Sequence, residues 1–245
     1  MTIKQPRPDL YLSMPHACSY LPERSSTIVF VDPHYLLDSR LYGDFVQQGF
    51  RRSGDLVYRP HCRSCTACVP VRIPVERFRP SRGQKRVWNK NRDITVHVVE
   101  PVFSPEHFAL YCRYQSARHP GSSMDDPDPE RYMGFLASHQ AKTVFYEMRT
   151  PDGLLGVAVV DVLSTGLSAV YTFFDPGFMS RGLGVYAILW QVAETRRLGL
   201  EHLYLGYWIK ETQKMAYKTS YQPLEALRNG YWQTLDGTAF PGPQT

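Results

Sequence analysis

The segment from 169 to 208 constrains this chain more than any other, because a strand, a glycine-bearing turn, a helix and a second strand follow one another there without slack. Residues 169–174, Ala-Val-Tyr-Thr-Phe-Phe, have the aromatic and β-branched content of a strand. Asp175-Pro176 interrupts it, and Arg181-Gly182-Leu183-Gly184-Val185-Tyr186 leads into an amphipathic helix over 180–198. That helix carries Val185, Ile188, Leu189, Val192 and Ala193 inward, has Arg196 and Arg197 near its end, and stops at Gly199. A strand over 202–208 follows. A glycine turn ahead of a helix exposes backbone N–H groups at the positive end of the helix dipole, which suits a phosphate or a developing oxyanion. The competing reading is that Gly182 and Gly184 only let helix and strand pack closely.

Upstream, Ser104-Pro105-Glu106 is a helix start: a hydroxyl cap, a proline at the first position, then an acid. The helix it opens buries Phe108, Tyr111 and Tyr114, and a second, opening at Asp128-Pro129-Glu130, buries Tyr132, Phe135 and Leu136. A polar loop over 119–126 joins them. Residues 143–148 and 154–163, linked by the turn Thr150-Pro151-Asp152-Gly153, form an antiparallel meander with 169–174. A helical stretch over 211–218 comes last. The order of three strands, a helix, a strand and a helical stretch fits the α/β acyltransferase fold named after N-acetyltransferases. The first hundred residues differ in character, with short strand-like stretches at 26–31, 56–58, 69–73 and 94–99 among Pro, Arg and Cys. The expected organisation is a small Cys/Arg-rich strand-and-loop domain over 1–102 and an acyltransferase-like domain over 103–245.

With 43% hydrophobic residues in 245 the chain can bury a sizeable core. The longest apolar run, 154–160, stops at Asp161, far short of a membrane span, and no charged start precedes an apolar leader, so the expectation is a cytoplasmic protein with no membrane partner. Five cysteines, an odd number in such a protein, point to free thiols, metal ligands or a nucleophile rather than a disulfide framework. Cys62, Cys65 and Cys68 are spaced for a shared metal, and Cys18 makes a set of four for zinc or an iron–sulfur cluster if the chain brings it close. Packing or redox sensing is the plainer alternative.

From 72 to 92 the basic residues Arg72, Arg77, Arg79, Arg82, Lys85, Arg86, Lys90 and Arg92 are opposed only by Glu76. Such density reads as a footprint for a phosphate backbone, with a solvated loop as the alternative. Further on, Tyr204, Tyr207 and Trp208 in the strand are followed by Lys210, Lys214, Tyr217 and Lys218. Alternation sends Tyr204 and Trp208 to one face and Leu203, Leu205 and Tyr207 to the other. Aromatics interleaved with lysines suit stacking on an unpaired base and pairing with phosphates, against the bland reading of a core strand with a solvated lysine face.

The block over 170–223, with its aromatic strand, Asp175-Pro176, Leu183-Gly184-Val185-Tyr186, Gly206-Tyr207-Trp208-Ile209, Lys214-Met215-Ala216-Tyr217-Lys218 and Tyr221-Gln222-Pro223, closely resembles the C-terminal domain of the arginyl- and leucyl-tRNA–protein transferases. Tyr58-Arg59-Pro60, the 62–70 segment and the basic run resemble that family's N-terminal domain. The short chain and the Cys62, Cys65, Cys68 spacing look more like the bacterial leucyltransferases than the longer arginyltransferases. The resemblance implies transfer of an aminoacyl group, Leu in that subfamily, from aminoacyl-tRNA to proteins starting with Asp or Glu, marking them for N-end rule degradation. Arginyl transfer, and acetyl-coenzyme-A-dependent N-acetylation on the same fold, are the alternatives. Leu21 stands where eukaryotic relatives carry a second cysteine after Cys18, which unsettles the metal set.

The donor ester is already activated, so the chemistry requires no cofactor and no covalent intermediate; it needs an uncharged amine held against the carbonyl and an oxyanion stabilised. Asp175 is the candidate for orienting or deprotonating that amine, with a turn-capping role as its alternative. A cation must meet the acceptor's acidic side chain, and Arg181, Lys210, Lys214 and Lys218 are candidates. Tyr171, Phe173 and Tyr207 are candidate walls of the aminoacyl pocket.

Overall fold

The computed structural model describes residues 7–118 and 128–235, so the expected loop over 119–126 lies outside the described residues. The first half contains β1 (Leu10–Leu12), β2 (His16–Ala17), β3 (Ser25–Ser26), β4 (Ile28–Val31), α1 (Ser39–Gln47), β5 (Arg51–Ser53), β6 (Leu56–Pro60), β7 (Val69–Pro74), α2 (Arg82–Lys90) and β8 (Thr95–Val99). The second contains α3 (Pro105–Arg118), α4 (Pro129–Leu136), β9 (Thr143–Thr150), β10 (Gly153–Val162), β11 (Gly166–Phe174), α5 (Leu183–Arg197), β12 (His202–Trp208), β13 (Leu224–Arg228) and β14 (Tyr231–Leu235). Short 3₁₀ turns at Pro176–Arg181 and Gln213–Ser220 precede α5 and follow β12. The second of these is the helical stretch expected over 211–218, wound as 3₁₀.

A mixed eight-stranded sheet, ordered β14-β13-β7-β12-β11-β10-β9-β8, organises the molecule. The expected meander is present as antiparallel β9, β10 and β11. The helix crossover after β11 returns β12 parallel to it. Two strands from the Cys/Arg-rich half, β7 and β8, belong to this sheet, β7 lying between β13 and β12 and β8 pairing with β9. A smaller sheet, β1-β4-β6-β5, forms beside it.

Three of the helices begin where the sequence supplies partners for free N–H groups. Asp38 caps α1, Ser81 and Gln84 form a reciprocal capping box on α2, and Asp128 with Pro129 starts α4 at the expected place. Leu110, Tyr111, Tyr132 and Leu136 of α3 and α4 cover one face of the large sheet against Phe145, Val157, Val159 and Phe173. Ile188, Leu189 and Val192 of α5 pack on strand residues Val160, Leu167, Leu203 and Leu205. The smaller sheet and α1 close on Leu163 and Tyr204.

That junction is pinned by a fully buried ion pair. Arg52 donates through Nε and Nη2 to the two Asp161 oxygens at 2.7 Å, Tyr42 Oη donates to Oδ2 at 2.7 Å, and Thr143 Oγ1 to Oδ1 at 2.8 Å. A buried charge is tolerable only when so completely paired.

Candidate active site

β11 and β12 run side by side for three residue pairs, Gly166 with His202 through Ser168 with Tyr204, and then separate. β11 stays paired to β10 on its other edge as far as Phe174, and β12 to β7 as far as Trp208. The opening holds a cavity of about 620 Å³. Ala169, Tyr171 and Thr172 line one side, Leu205 and Gly206 the other, the start of α5 its end, and Tyr217 and Lys218 its rim and floor.

A bulge shapes the β12 side. The register shifts between Tyr204 and Gly206, and Gly206 takes a left-handed φ of 71°. One inserted residue reverses the alternation downstream. Leu203, Leu205 and Trp208 therefore share one core, while Tyr204 and Tyr207 face the smaller sheet, which corrects the pairing of Tyr204 with Trp208 that simple alternation implied. Arg51 lies next to this glycine, its Nη1 at an ordinary contact distance of 3.8 Å from where a Cβ on Gly206 would stand.

At the α5 end, Gly182 has a φ of 67° and its N–H is bonded to Met179 O. The N–H groups of Val185 and Tyr186 reach Gly182 O. The Leu183 and Gly184 N–H groups have no acceptor among the described residues, and both residues line the cavity. They are free donors at the positive end of a fifteen-residue helix. A Cβ on Gly182 would meet Val87 of α2 at 3.3 Å, so the glycine also allows close packing.

Tyr171 walls the cavity, and its hydroxyl accepts from Gln115 Nε2 at 3.1 Å; burial pushes its pKa up. Lys218 is 6% exposed, and its Nζ donates to Tyr207 O. Burial first, and Arg51 second, lower its pKa from 10.5 to about 7. Asp175 stands beside Pro176, a lining residue. Its Oδ1 accepts from Gly177 N at 2.8 Å and its Oδ2 from Arg113 Nη2 at 3.2 Å, so it caps the 3₁₀ turn next to the cavity lining without itself being part of it.

Other candidates lie elsewhere. Phe173, Tyr204 and Trp208 are core residues, and the Tyr207 hydroxyl donates to Gly49 O at 2.9 Å. Arg181 is committed to Asn91 Oδ1 at 2.9 Å and to Asp93, while Asn91 Nδ2 donates back to Arg181 O, which clamps α2 to the turn. Lys210 and Lys214 are exposed and do not line the cavity. Of the basic run, Arg72 is bound to Glu225 at 2.8 Å and lies 4.4 Å from the Trp232 ring centre, Arg77 also reaches Glu225, and Arg79 bonds backbone carbonyls. Arg82, Lys85 and Arg86 are exposed on α2, which packs on α5.

Cys18, Cys62, Cys65 and Cys68 all line a second cavity of about 900 Å³, so the fold does bring Cys18 to the others. No three His, Cys, Asp or Glu residues form a metal-holding group among the described residues. Cys62 Sγ donates to Thr27 O at 3.7 Å. The Cys68 thiol is pushed up to about 12 by burial and the neighbouring thiols, whereas the Ala67 N–H and Arg24 lower that of Cys65. The four thiols therefore face one another across a shared cavity, and aminoacyl transfer between an activated ester and an amine needs none of them.

Sequence reasoning missed Arg51. Its signal was the Arg51-Arg52 pair in a short strand, since alternation sends two adjacent arginines to opposite faces and each then needs its own partner.

Residues 106–228 match the family described as Arginine-tRNA-protein transferase, C terminus, and residues 16–86 match its N terminus. The chain is 52% identical over 226 residues to an aspartate/glutamate leucyltransferase of Pseudomonas fluorescens (strain Pf0-1), covering 92% of this chain and 96% of that one. It is 52% identical over 225 residues to an aspartate/glutamate leucyltransferase of Pseudomonas syringae pv. syringae, with the same coverage. Among solved structures, L-PGS from Bacillus licheniformis is similar with a TM-score of 0.45 and 15% identity, covering 68% of this chain and 48% of that one.

Proposed function

We propose, from the premise that this chain belongs to the arginine-tRNA-protein transferase family, that it is a leucyl-tRNA–protein transferase acting in the cytoplasm on proteins that begin with Asp or Glu. The observation that carries the choice of leucine is the likeness to leucyltransferases over 96% of their length. The cavity walls support it, because Ala169, Val170, Tyr171, Val185 and Leu205 offer an apolar seat for the leucyl side chain. Placed so, the cavity acts as the aminoacyl pocket of an acyltransferase-like domain, and the Cys/Arg-rich half flanks it.

The acceptor's neutral α-amine attacks the ester carbonyl. The new C–N bond forms through a tetrahedral intermediate, whose oxyanion the Leu183 and Gly184 N–H groups stabilise. Collapse breaks the C–O bond to the terminal ribose, and the tRNA leaves with its hydroxyl reprotonated. The proton lost by the amine passes to Asp175, directly or through a water, and from there to the leaving ribose oxygen. An α-amine has a pKa near 8, so a carboxylate suffices. The exposed Arg82, Lys85 and Arg86 of α2 meet tRNA phosphates beside the end of α5.

Incubation of the protein with a mixed pool of aminoacyl-tRNAs and an Asp-started peptide tests this reading by mass spectrometry. A leucyl adduct on the N-terminal amine is the expected product. An arginyl adduct overturns the choice of leucine and keeps the family.

A further inference from the structure

We infer that Arg51 and Lys218 form the subsite that receives the side-chain carboxylate of the acceptor's first residue; this rests on the transferase reading of the cavity. Both residues line that cavity. They meet at Tyr207: the Arg51 guanidinium lies 5.9 Å from its ring centre, and Lys218 Nζ donates to its carbonyl oxygen. Neither has a carboxylate partner among the described residues. Their surroundings are aromatic, with Tyr207 against Arg51 and Tyr217 against Lys218 at 5.9 Å.

This absence stands out within the same molecule. Arg52, one residue along, is paired to Asp161, and the mostly buried Arg72 to Glu225. An arginine and an almost wholly buried lysine at one wall of a cavity are costly to hold charged together until an anion arrives. Tyrosine rings favour cations without neutralising them. The β12 bulge runs past Arg51 at Gly206, where a Cβ would stand at an ordinary contact distance of 3.8 Å from Nη1. The Arg51 fork can hold a carboxylate bidentately while the Lys218 ammonium supplies a point charge beside it.

A tRNA phosphate is the other anion available. The position of the pair favours the carboxylate, because Lys218 lines the cavity at only 6% exposure, where a side chain enters more readily than a polynucleotide backbone.

The test compares Arg51→Gln and Lys218→Met with the unaltered enzyme on matched peptides beginning with Asp or Asn, and measures leucyl-tRNA binding at two salt concentrations. The expected result is a fall of about 10- to 100-fold in the preference for Asp over Asn, the size of a lost charge-assisted bond, with tRNA affinity and its salt slope unchanged. Arg51→Lys keeps a charge and should retain most of the preference, which separates a reading role from misfolding. Equal losses on both peptides would overturn the assignment. So would weaker tRNA binding with a flatter salt slope, which would make the anion a phosphate. Failure of the parent reading is separately visible as an unaltered enzyme that leucylates neither peptide, and the assignment would fall with it.

Discussion

At the scale of single residues, Asp175 and Lys218 carry the sharpest consequences. The Asp175→Asn change keeps an oxygen for the Gly177 N–H, so the turn survives while the charge and most of the basicity are lost. If the carboxylate takes the amine proton, turnover falls about 10²- to 10⁴-fold with tRNA binding intact, and higher pH restores part of it. Near-full turnover with a lower melting temperature would make Asp175 a cap and partner of Arg113 only. Lys218 makes a prediction about stability. Its folded pKa of about 7 lies below the ordinary 10.5, so between those values the unfolded chain binds a proton that the folded chain does not. Stability contributed through this group therefore rises with pH from about 7 toward 10, and below 7 it is constant. Melting curves of the unaltered protein and Lys218→Met should converge or diverge by that slope across the window and run parallel below it. Parallel curves throughout would mean that Lys218 titrates normally.

Among the elements, the strand-turn-helix-strand unit was legible because its punctuation is local: Asp175-Pro176, the Gly182 turn and the Gly199 stop each act within a few residues. The bulge in β12 was not, because Gly206 in a strand pattern does not say which residues it will shift, and the faces of Tyr207 and Trp208 came out reversed. The basic run was only half legible. Composition shows charge, but not that Glu225 on a distant strand takes Arg72 and Arg77 while α2 leaves Arg82, Lys85 and Arg86 in solvent. Charge reversal at those three should weaken tRNA binding and flatten its dependence on salt while the melting temperature holds, since each phosphate contact contributes about one unit to the slope. An unchanged slope in a folded variant would remove α2 from the tRNA surface.

For the molecule as a whole, the sheet gathers strands from both halves, and that is why the site could be placed only in part from sequence. Of the residues named in advance, Tyr171 and the Gly182, Leu183 and Gly184 turn do line the cavity because they are contiguous in the chain, whereas Phe173 and Tyr207 face elsewhere. Arg51 was not among them, since it reaches Gly206 only through the packing of the smaller sheet on β12, which no local pattern encodes. The Asp161 and Arg52 pair that fixes this packing likewise joins residues far apart in sequence. This assembled cavity is proposed to transfer leucine to an acidic N-terminus. Mass spectrometry of an Asp-started peptide, incubated with the enzyme and a mixed pool of aminoacyl-tRNAs, tests it directly. The account predicts a single leucyl addition on the α-amine, suppressed when the first residue is Asn; an arginyl addition, or equal leucylation of both peptides, would contradict it.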